Sequence, residues 1–504
     1  MRAEPVVEIE RKFDVEDDTP LPALEDVPGV GGVDAPVEFH LEAEYFDTED
    51  LTLASQRITL RRRTGGEDAG WHLKLPAGPD ERHEHHAPLG RTSVVPKPLL
   101  KLIRVHTRDR ALVPVARLDT RRVVRRLQGQ DGLLAEFMDD RVQAEALHPE
   151  PSSLRWREWE IELVGGSRDM LDAAAGLIAA AGVRPAAHRS KLERALGTGF
   201  PTDAVRVTEP SPEGPAGDVL LTYLREQVAA LKQQDPQVRI DGSDAIHRMR
   251  VAIRRIRSVL ATYRTLLDDI EGVGRLRKEL RWLAGVLGEA RDAQVMHARL
   301  QRMLADEPPE LLLGPVQRRL EIELGGDYRR FHTRAVKSLD GERYFRLLDA
   351  LDALVAAPAL TPRAADPAGQ VVAGLINRDL KRLGRTVHAA RDHRAGAGDH
   401  PALHEARKDA KRLRYAAEAA SPIGRKKVAR IAEAAQVLQK VLGEHQDSLV
   451  TRDLLRRIGG KAFQEGENGF TYGRLHALEQ AAALDAEARF RHEWKYIPSP
   501  LRKK

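Results

Sequence analysis

Side chains alternate across a β-strand, so a strand-like run sorts its residues onto two faces. In the first 200 residues that sorting puts charge on one face of strand after strand. In "VVEIERKF" (Val6–Phe13), Glu8, Glu10 and Lys12 share a side, with Val7, Ile9 and Phe13 opposite. In "RITLRRR", Arg57, Thr59, Arg61 and Arg63 oppose Ile58 and Leu60, and in "WHLKL", His72 and Lys74 oppose Trp71, Leu73 and Leu75. "ARLDTRR" groups Arg117, Asp119 and Arg121, while "REWEIELV" sets Glu158, Glu160 and Glu162 against Trp159, Ile161 and Leu163.

An open antiparallel sheet with its charged face in water is the plain alternative. It needs helices to cover the apolar face, and this region offers little helix. The clear strand runs are Val6–Phe13, Arg57–Arg63, Trp71–Leu75, Val113–Val124, Leu133–Phe137 and Arg157–Val164. Helical patterns appear at Asp169–Ala181 and, briefly, at Lys191–Leu196. If the sheet closes instead, the charged faces line a bore and the apolar faces turn outward. A dry bore lined this way would be ruinous, since an unpaired buried ion costs several kcal/mol. A hydrated tunnel holding an anion and a cation removes that problem.

Such a tunnel sorts its residues by chemistry. Arginine and lysine suit phosphate oxygens, and glutamates would repel phosphate unless a divalent metal lay between them. The reading therefore assigns Glu8, Glu10, Glu160 and Glu162 to a divalent metal such as Mg²⁺. Lys12, Arg61, Arg63, Lys74 and Arg121 fall to the phosphate. The acids and Lys12 form the expected catalytic group.

The strand pattern ends near residue 200. "GFPTDAVRVTEPSPEGPAGD" reads as a linker, placed at 201–216. Long helical periodicity then runs over 217–495, and residues 496–504 read as a basic tail. The helical half repeats itself: "HRMRVAIRRIR" from His247 matches "HEARKDAKRLR" from His404, and "VLGEARD" from Val286 matches "VLGEHQD" from Val441. Two matches in the same order at nearly one offset indicate a duplicated bundle, with copies over about 217–360 and 370–495. The fold class expected is α+β in two domains: an antiparallel β tunnel followed by a duplicated all-α bundle.

In each copy four bases line up at i, i+3, i+7 and i+10: His247, Arg250, Arg254 and Arg257, then His404, Arg407, Lys411 and Arg414. An apolar stripe runs beside each set. The basic stripes read as lacking acids four residues on that would neutralise them. A solvated flank explains one such stripe; its retention in two copies points to a polyanion. Single-strand nucleic-acid readers interleave aromatics for stacking, and aromatics are 5% of this chain, so nucleic acid is disfavoured. "LGEARD" and "LGEHQD" read as helix-packing signals.

Composition narrows the setting. The chain has no cysteine, which excludes disulfides and thiolate metal sites. No apolar run approaches the roughly 20 residues of a membrane helix, and the amino terminus lacks a signal-like apolar core. The expectation is a cytoplasmic protein without membrane contact.

The ordered motifs "EIERK", "YFDT" (Tyr45–Thr48), "LRRR" (Leu60–Arg63), "LKLP" (Leu73–Pro76), "EIE" (Glu160–Glu162) and "SK" (Ser190–Lys191) resemble the CYTH, or triphosphate tunnel metalloenzyme, superfamily over nearly all of 1–200. The resemblance implies an eight-stranded tunnel that hydrolyses or cyclises triphosphates with Mg²⁺ or Mn²⁺, closed by Lys191 from a carboxy-terminal helix. It adds Arg117 and Glu136 as lining residues, with Arg82 and Glu84 as further candidates. The histidine stripes resemble the CHAD family, whose members bind inorganic polyphosphate, over roughly 217–495. Together these imply a metal-dependent inorganic triphosphatase with a polyphosphate-binding helical domain. Two alternatives stay open: a non-catalytic polyphosphate-binding or granule-associated protein, and an adenylate cyclase or thiamine triphosphatase in the same tunnel. The strands offer no obvious aromatic pocket for a base.

Overall fold

A computed structural model describes residues 6–78, 81–90, 94–201, 209–391, 401–423 and 426–498. Much of the expected linker and most of the basic tail lie outside the described residues. The chain divides into two compact units, Met1–Arg206 and Val207–Lys504.

The first unit is built on ten strands: β1 (Val6–Val15), β2 (Gly32–Val33), β3 (Val37–Asp47), β4 (Thr59–Thr64), β5 (Gly70–Pro76), β6 (Glu81–Ala87), β7 (Val113–Gly129), β8 (Gly132–Ala146), β9 (Ser152–Leu163) and β10 (Arg184–Pro185). Eight close into an antiparallel barrel in the order β1-β6-β5-β4-β3-β7-β8-β9, and β9 pairs back onto β1. The two-residue strands β2 and β10 are appended to β7 and β1. Closure removes both sheet edges, and each cross-strand pair must then present its two side chains to the same side of the wall.

Four helices accompany the barrel: α1 (Thr52–Ser55), α2 (Lys97–Thr107), α3 (Arg168–Ala180) and α4 (Lys191–Leu196). α3 starts at Ser167, whose side chain accepts from the Met170 amide, and it buries Met170, Leu171, Ala174 and Ile178 at helical spacing. That stripe packs outside the barrel on Phe13, Phe137, Trp159 and Ile161, the apolar faces of β1, β8 and β9. Each such side chain contributes about 1.5–3 kcal/mol when fully buried. α2 goes beyond the helices expected from sequence. The prolines of its "PKPLL" start suit a helix's first turn, and Leu99, Leu102, Ile103 and Val105 are buried. Strands β3 and β6 likewise lie outside the clearest sequence runs.

The barrel interior is not ionic throughout. Towards one end Ala116, Leu118, Val142, Ala144 and Trp156 form a cluster with Leu192, Ala195 and Leu196 of α4. α4 is fixed there by a reciprocal cap: the Ser190 hydroxyl accepts from the Glu193 amide, and the Glu193 carboxylate accepts from the Arg189 amide. The cap leaves Lys191, the first helical residue, buried.

The second unit is helical: α5 (Ala216–Arg239), α6 (Ala245–Thr262), α7 (Ile270–Ala305), α8 (Val316–Leu320), α9 (Gly326–Leu339), α10 (Glu342–Ala356), α11 (Ala368–Arg391), α12 (Pro401–Ala419), α13 (Lys426–Gln464) and α14 (Phe470–Glu493). Helices α5, α6 and α7 have 24, 18 and 36 residues, and α11, α12 and α13 have 24, 19 and 39. The histidine motifs fall on α6 and α12, and the "VLGE" motifs on α7 and α13. No helix among the described residues is long and apolar enough to cross a membrane.

Candidate functional sites

Strand register brings the barrel's charges together. Going around the wall, Tyr45 faces Arg61, Arg61 faces His72, Thr59 faces Lys74, Lys74 faces Glu84, and Glu8 faces Arg82. On the other side Glu10 faces Glu162, Lys12 faces Glu160, Glu136 faces both Arg126 and Glu162, and Asp140 faces both Arg122 and Glu158. One cavity is lined by Glu8, Glu10, Lys12, Arg61, Arg63, Lys74, Arg82, Glu84, Glu136, Glu160, Glu162 and Lys191. These include all of the tunnel residues read from sequence except two.

The exceptions are Arg117 and Arg121. Both lie on the outer face, 60% and 62% exposed at the side chain, paired with Glu44 and Glu38. They do share a face, as alternation requires, but it is the other one. "TRRVVRR" doubles each arginine, so either phase of β7 presents arginine and the sequence cannot choose between them. The register chooses Arg122 and Arg126, which line the cavity. Asp140 was also missed, because "DD" in "FMDDR" carries the same ambiguity.

The interior divides into two electrostatic regions. Around Lys191 the charges are matched. Its ammonium lies 2.9 Å from Asp140, 2.5 Å from Glu158 and 2.8 Å from Glu160, and Arg122 reaches Asp140 at 2.6 Å and Glu160 at 2.7 Å. Lys12 bonds Glu10 at 2.9 Å and also Glu160. Burial opposes charge on Lys191, but its three carboxylates outweigh that and hold its pKa well above the lysine range.

Farther along, matching fails in both directions. Burial first, then Glu8, Glu10 and Glu160 against the pull of Lys74, push Glu162 up to about 7. Glu8 bonds Lys74 through one oxygen, and its other, Oε2, is buried with no partner. Arg63 is pushed down to about 9 by burial and by Arg61 and Arg122, although it pairs with Asp68. Carboxylate is therefore in surplus at Glu8 and Glu162, and beside Arg61 and Arg122 the Arg63 guanidinium keeps a buried Nε with no hydrogen-bond partner. Glu8, Glu10 and Glu162 offer hard oxygens to one cavity, the donor type that suits a hard divalent cation. Among the described residues, the buried carboxylates whose ligand atoms converge within 4.8 Å are Asp140, Glu158 and Glu160. Glu160 is different, since three cations already engage it.

His72 supports the wall: Nδ1 lies 2.8 Å from Glu84 and Nε2 3.0 Å from the Asp68 carbonyl. Phe39, Leu41, Val124 and Met138 also line the cavity. This apolar wall went unseen in the sequence because β3, which carries Phe39 and Leu41, was not recognised as a strand, and the face of β7 that carries Val124 reads from sequence as the outer one.

In the helical unit the basic groups of α6 and α12 lie close together. Arg254 and Arg250 from the first copy, with Arg407 from the second, depress Lys411, which burial and these neighbours push down to about 7. Arg254, Arg257 and Lys411 line one cleft with Arg277 of α7 and Arg412. Arg277 and Arg281, both near Arg257, extend the basic surface beyond the two motifs. His247 is half-buried, and His404 is exposed with Nδ1 3.1 Å from Gln446. Arg414 departs from the expectation of an unneutralised stripe, because Glu418, four residues on, holds it at 2.6 Å.

The fold and the cavity define a closed barrel with an ionic bore, joined to a helical unit that carries two basic histidine stripes. Family models match in the same order: the CYTH domain over residues 7–180 and the CHAD domain over 222–456. The chain belongs to the CYTH–CHAD proteins, and CYTH proteins are typically metal-dependent enzymes that act on triphosphates. Uncharacterized proteins of Mycobacterium tuberculosis, from strains CDC 1551 / Oshkosh and ATCC 25618 / H37Rv, are each 42% identical over 500 residues, covering 94% of this chain and 93% of theirs. Among solved structures, the CHAD domain of the plant Ricinus communis is 23% identical with a TM-score of 0.48, covering 59% of this chain and 97% of its own. PptA from Streptomyces chartreusis is 22% identical with a TM-score of 0.44, covering 56% and 99%.

Proposed function

We propose that this chain hydrolyses inorganic triphosphate in its barrel with Mg²⁺ or Mn²⁺, and binds polyphosphate on its helical unit. The observation that carries this reading is the paired mismatch within one cavity. A carboxylate surplus at Glu8 and Glu162 calls for a cation, and the Arg63 guanidinium, crowded by Arg61 and Arg122 with its Nε unpartnered, calls for an anion. A metal–triphosphate complex supplies both.

Lys12, Arg61, Arg63, Lys74, Arg122 and Lys191 present cations to non-bridging oxygens, where a low local dielectric strengthens each contact. Arginine adds bidentate geometry, which fixes the orientation of the phosphoryl groups. Glu8, Glu10 and Glu162 would hold the metal, which when bound supplies Lewis-acid polarisation of the phosphoryl oxygens. Glu160 holds Lys12, Arg122 and Lys191 in place. On the helical unit, His247, Arg250, Arg254, Arg257, His404, Arg407 and Lys411 bind polyphosphate, with Arg414 partly neutralised.

A second reading, an organic triphosphate such as ATP or thiamine triphosphate, draws on the apolar wall of Phe39, Leu41, Val124 and Met138. The deciding experiment is a phosphate-release screen over tripolyphosphate, ATP, thiamine triphosphate and long polyphosphate, with and without Mg²⁺ or Mn²⁺. Release from tripolyphosphate alone, abolished by Glu10→Gln, supports the first reading. Turnover confined to an organic triphosphate supports the second. Tight polyphosphate binding without release from any substrate leaves a binding protein.

A further inference from the structure

The repeated "VLGE" motif reads from sequence as helix packing, but the structure gives its glycine another neighbour. Gly288 on α7 is buried, and a Cβ built there would lie 2.6 Å from Arg250 Nη1 of the facing helix α6. In the second copy Gly443 on α13 is buried too, and its Cβ would lie 3.4 Å from Arg407 Nη2 on α12. Each glycine thus sits beneath the guanidinium of the second base in a histidine stripe. An acid follows one helical turn later, on the same side of the helix. Asp292 lies 3.6 Å from Arg250. Asp447, half-buried, takes its largest favourable interaction from Arg407. The residue before each acid acts on the histidine: Arg291 exerts the strongest charge effect on His247, and Gln446 bonds His404.

Two copies with different sequences keep the same arrangement. In each, a guanidinium lies against a helical glycine, and an acid one turn on interacts with it. Helix packing alone does not require this, since the nearest atoms to both absent Cβ positions belong to an arginine side chain and not to an apolar neighbour. A glycine inside a helix also costs about 1 kcal/mol relative to alanine. That cost is incurred twice, at matching positions.

We infer that Gly288 and Gly443 are positioning residues of the anion-binding surface, seating Arg250 and Arg407 so that their guanidinium groups present themselves to a polyphosphate. This rests on the reading that the helical unit binds polyphosphate. The geometry separates positioning from stability. The group displaced by a methyl at 288 is the free end of a flexible side chain, so the helix keeps its packing while the arginine must move. At 443 the contact is looser, and the displacement is smaller.

The test uses the full-length chain and long-chain polyphosphate. Gly288→Ala should weaken binding about tenfold, the scale of one charged hydrogen bond, and Gly443→Ala about twofold. The melting temperature should stay level or rise through the gain in helix propensity. The slope of log Kd against log salt should shrink by about one for Gly288→Ala, as for one lost phosphate contact. Arg250→Ala and Arg407→Ala are the reference variants. If these two bind like wild type, the polyphosphate reading falls and this inference falls with it. If they lose binding while Gly288→Ala keeps wild-type affinity and slope, the positioning role alone is wrong. A Gly288→Ala chain that melts lower and loses binding with an unchanged salt slope assigns the glycine to packing and overturns the inference.

Discussion

Glu10 on β1 and Glu162 on β9 are direct cross-strand partners, and Glu8 lines the same cavity one step along β1. Three carboxylates on one wall leave Glu162 with a pKa of about 7, through burial and then the charge of Glu8. The folded value lies above the unfolded one of about 4.3. Its stabilising contribution is therefore complete below the unfolded pKa and is lost as pH rises through about 7. In metal-free buffer, wild type should lose melting temperature between about pH 5 and 8, and Glu162→Gln should lose less over the same interval. Added Mg²⁺ or Mn²⁺ should raise the wild-type melting temperature most at the alkaline end. Identical pH profiles for the two proteins would remove Glu162 from the surplus.

Lys411 gives the helical unit a titration of opposite sign. Burial, Arg407, Arg254 and Arg250 push its pKa down to about 7, with Asp447 as the opposing charge. A polyanion favours the ammonium form, so above pH 7 binding must take up a proton. Polyphosphate affinity at fixed salt should then fall between pH 6.5 and 8.5 more steeply than in Lys411→Arg, whose charge does not titrate in that range. Calorimetry in buffers of different ionisation enthalpy would detect the proton directly. Equal slopes for wild type and Lys411→Arg would place the titration elsewhere.

The phase of β7 can be tested by substitution. Arg117 and Arg121 are outside the bore, so Arg117→Ala and Arg121→Ala should leave triphosphate turnover within about twofold, since exposed ion pairs contribute little. Arg122 bonds Asp140 and Glu160 inside. Arg122→Gln should cut turnover by about two orders of magnitude, the scale seen when one donor to developing charge is removed. Loss of turnover in Arg121→Ala, with Arg122→Gln active, would reverse the assignment of the two faces.

The sequence made the barrel legible because its charges recur at period two on strands such as β1 and β9, where Glu8 and Glu160 each have apolar neighbours on both sides to fix the face, and on β4, where Leu60 does so for Arg61. It failed where that contrast vanishes. In "RRVVRR" both faces carry the same residues, and only pairing with Asp140 and Glu136 selects Arg122 and Arg126. The apolar end of the interior was equally hidden, because Ala116, Leu118 and Ala144 look like an outer face until Leu192 and Leu196 of α4 cover them. On the helical unit the histidine stripes were plain from their repetition. The role of Gly288 was not, since it depends on a contact 38 residues back in the chain.

Lys191 allows a last and more demanding prediction. Asp140, Glu158 and Glu160 bring ligand atoms within 4.8 Å of one another, a spacing that could hold a metal ion, and all three are buried. The Lys191 ammonium forms ion pairs with all three carboxylates, so in this arrangement a lysine does what a cation would do. Replacing it with methionine keeps the side-chain length and deletes the charge. Carboxylates left with only part of their neutralisation should destabilise the fold by about 3–5 kcal/mol, as when one partner of a buried pair is removed. Millimolar Mn²⁺ or Mg²⁺ should then restore much of the melting temperature of Lys191→Met by binding in the ammonium's place. The double variant Lys191→Met, Asp140→Asn should show no such recovery, which separates this effect from metal bound at Glu8, Glu10 and Glu162. If Lys191→Met melts like wild type without metal, the three carboxylates do not depend on that ammonium, and the matched region around Lys191 has been wrongly drawn.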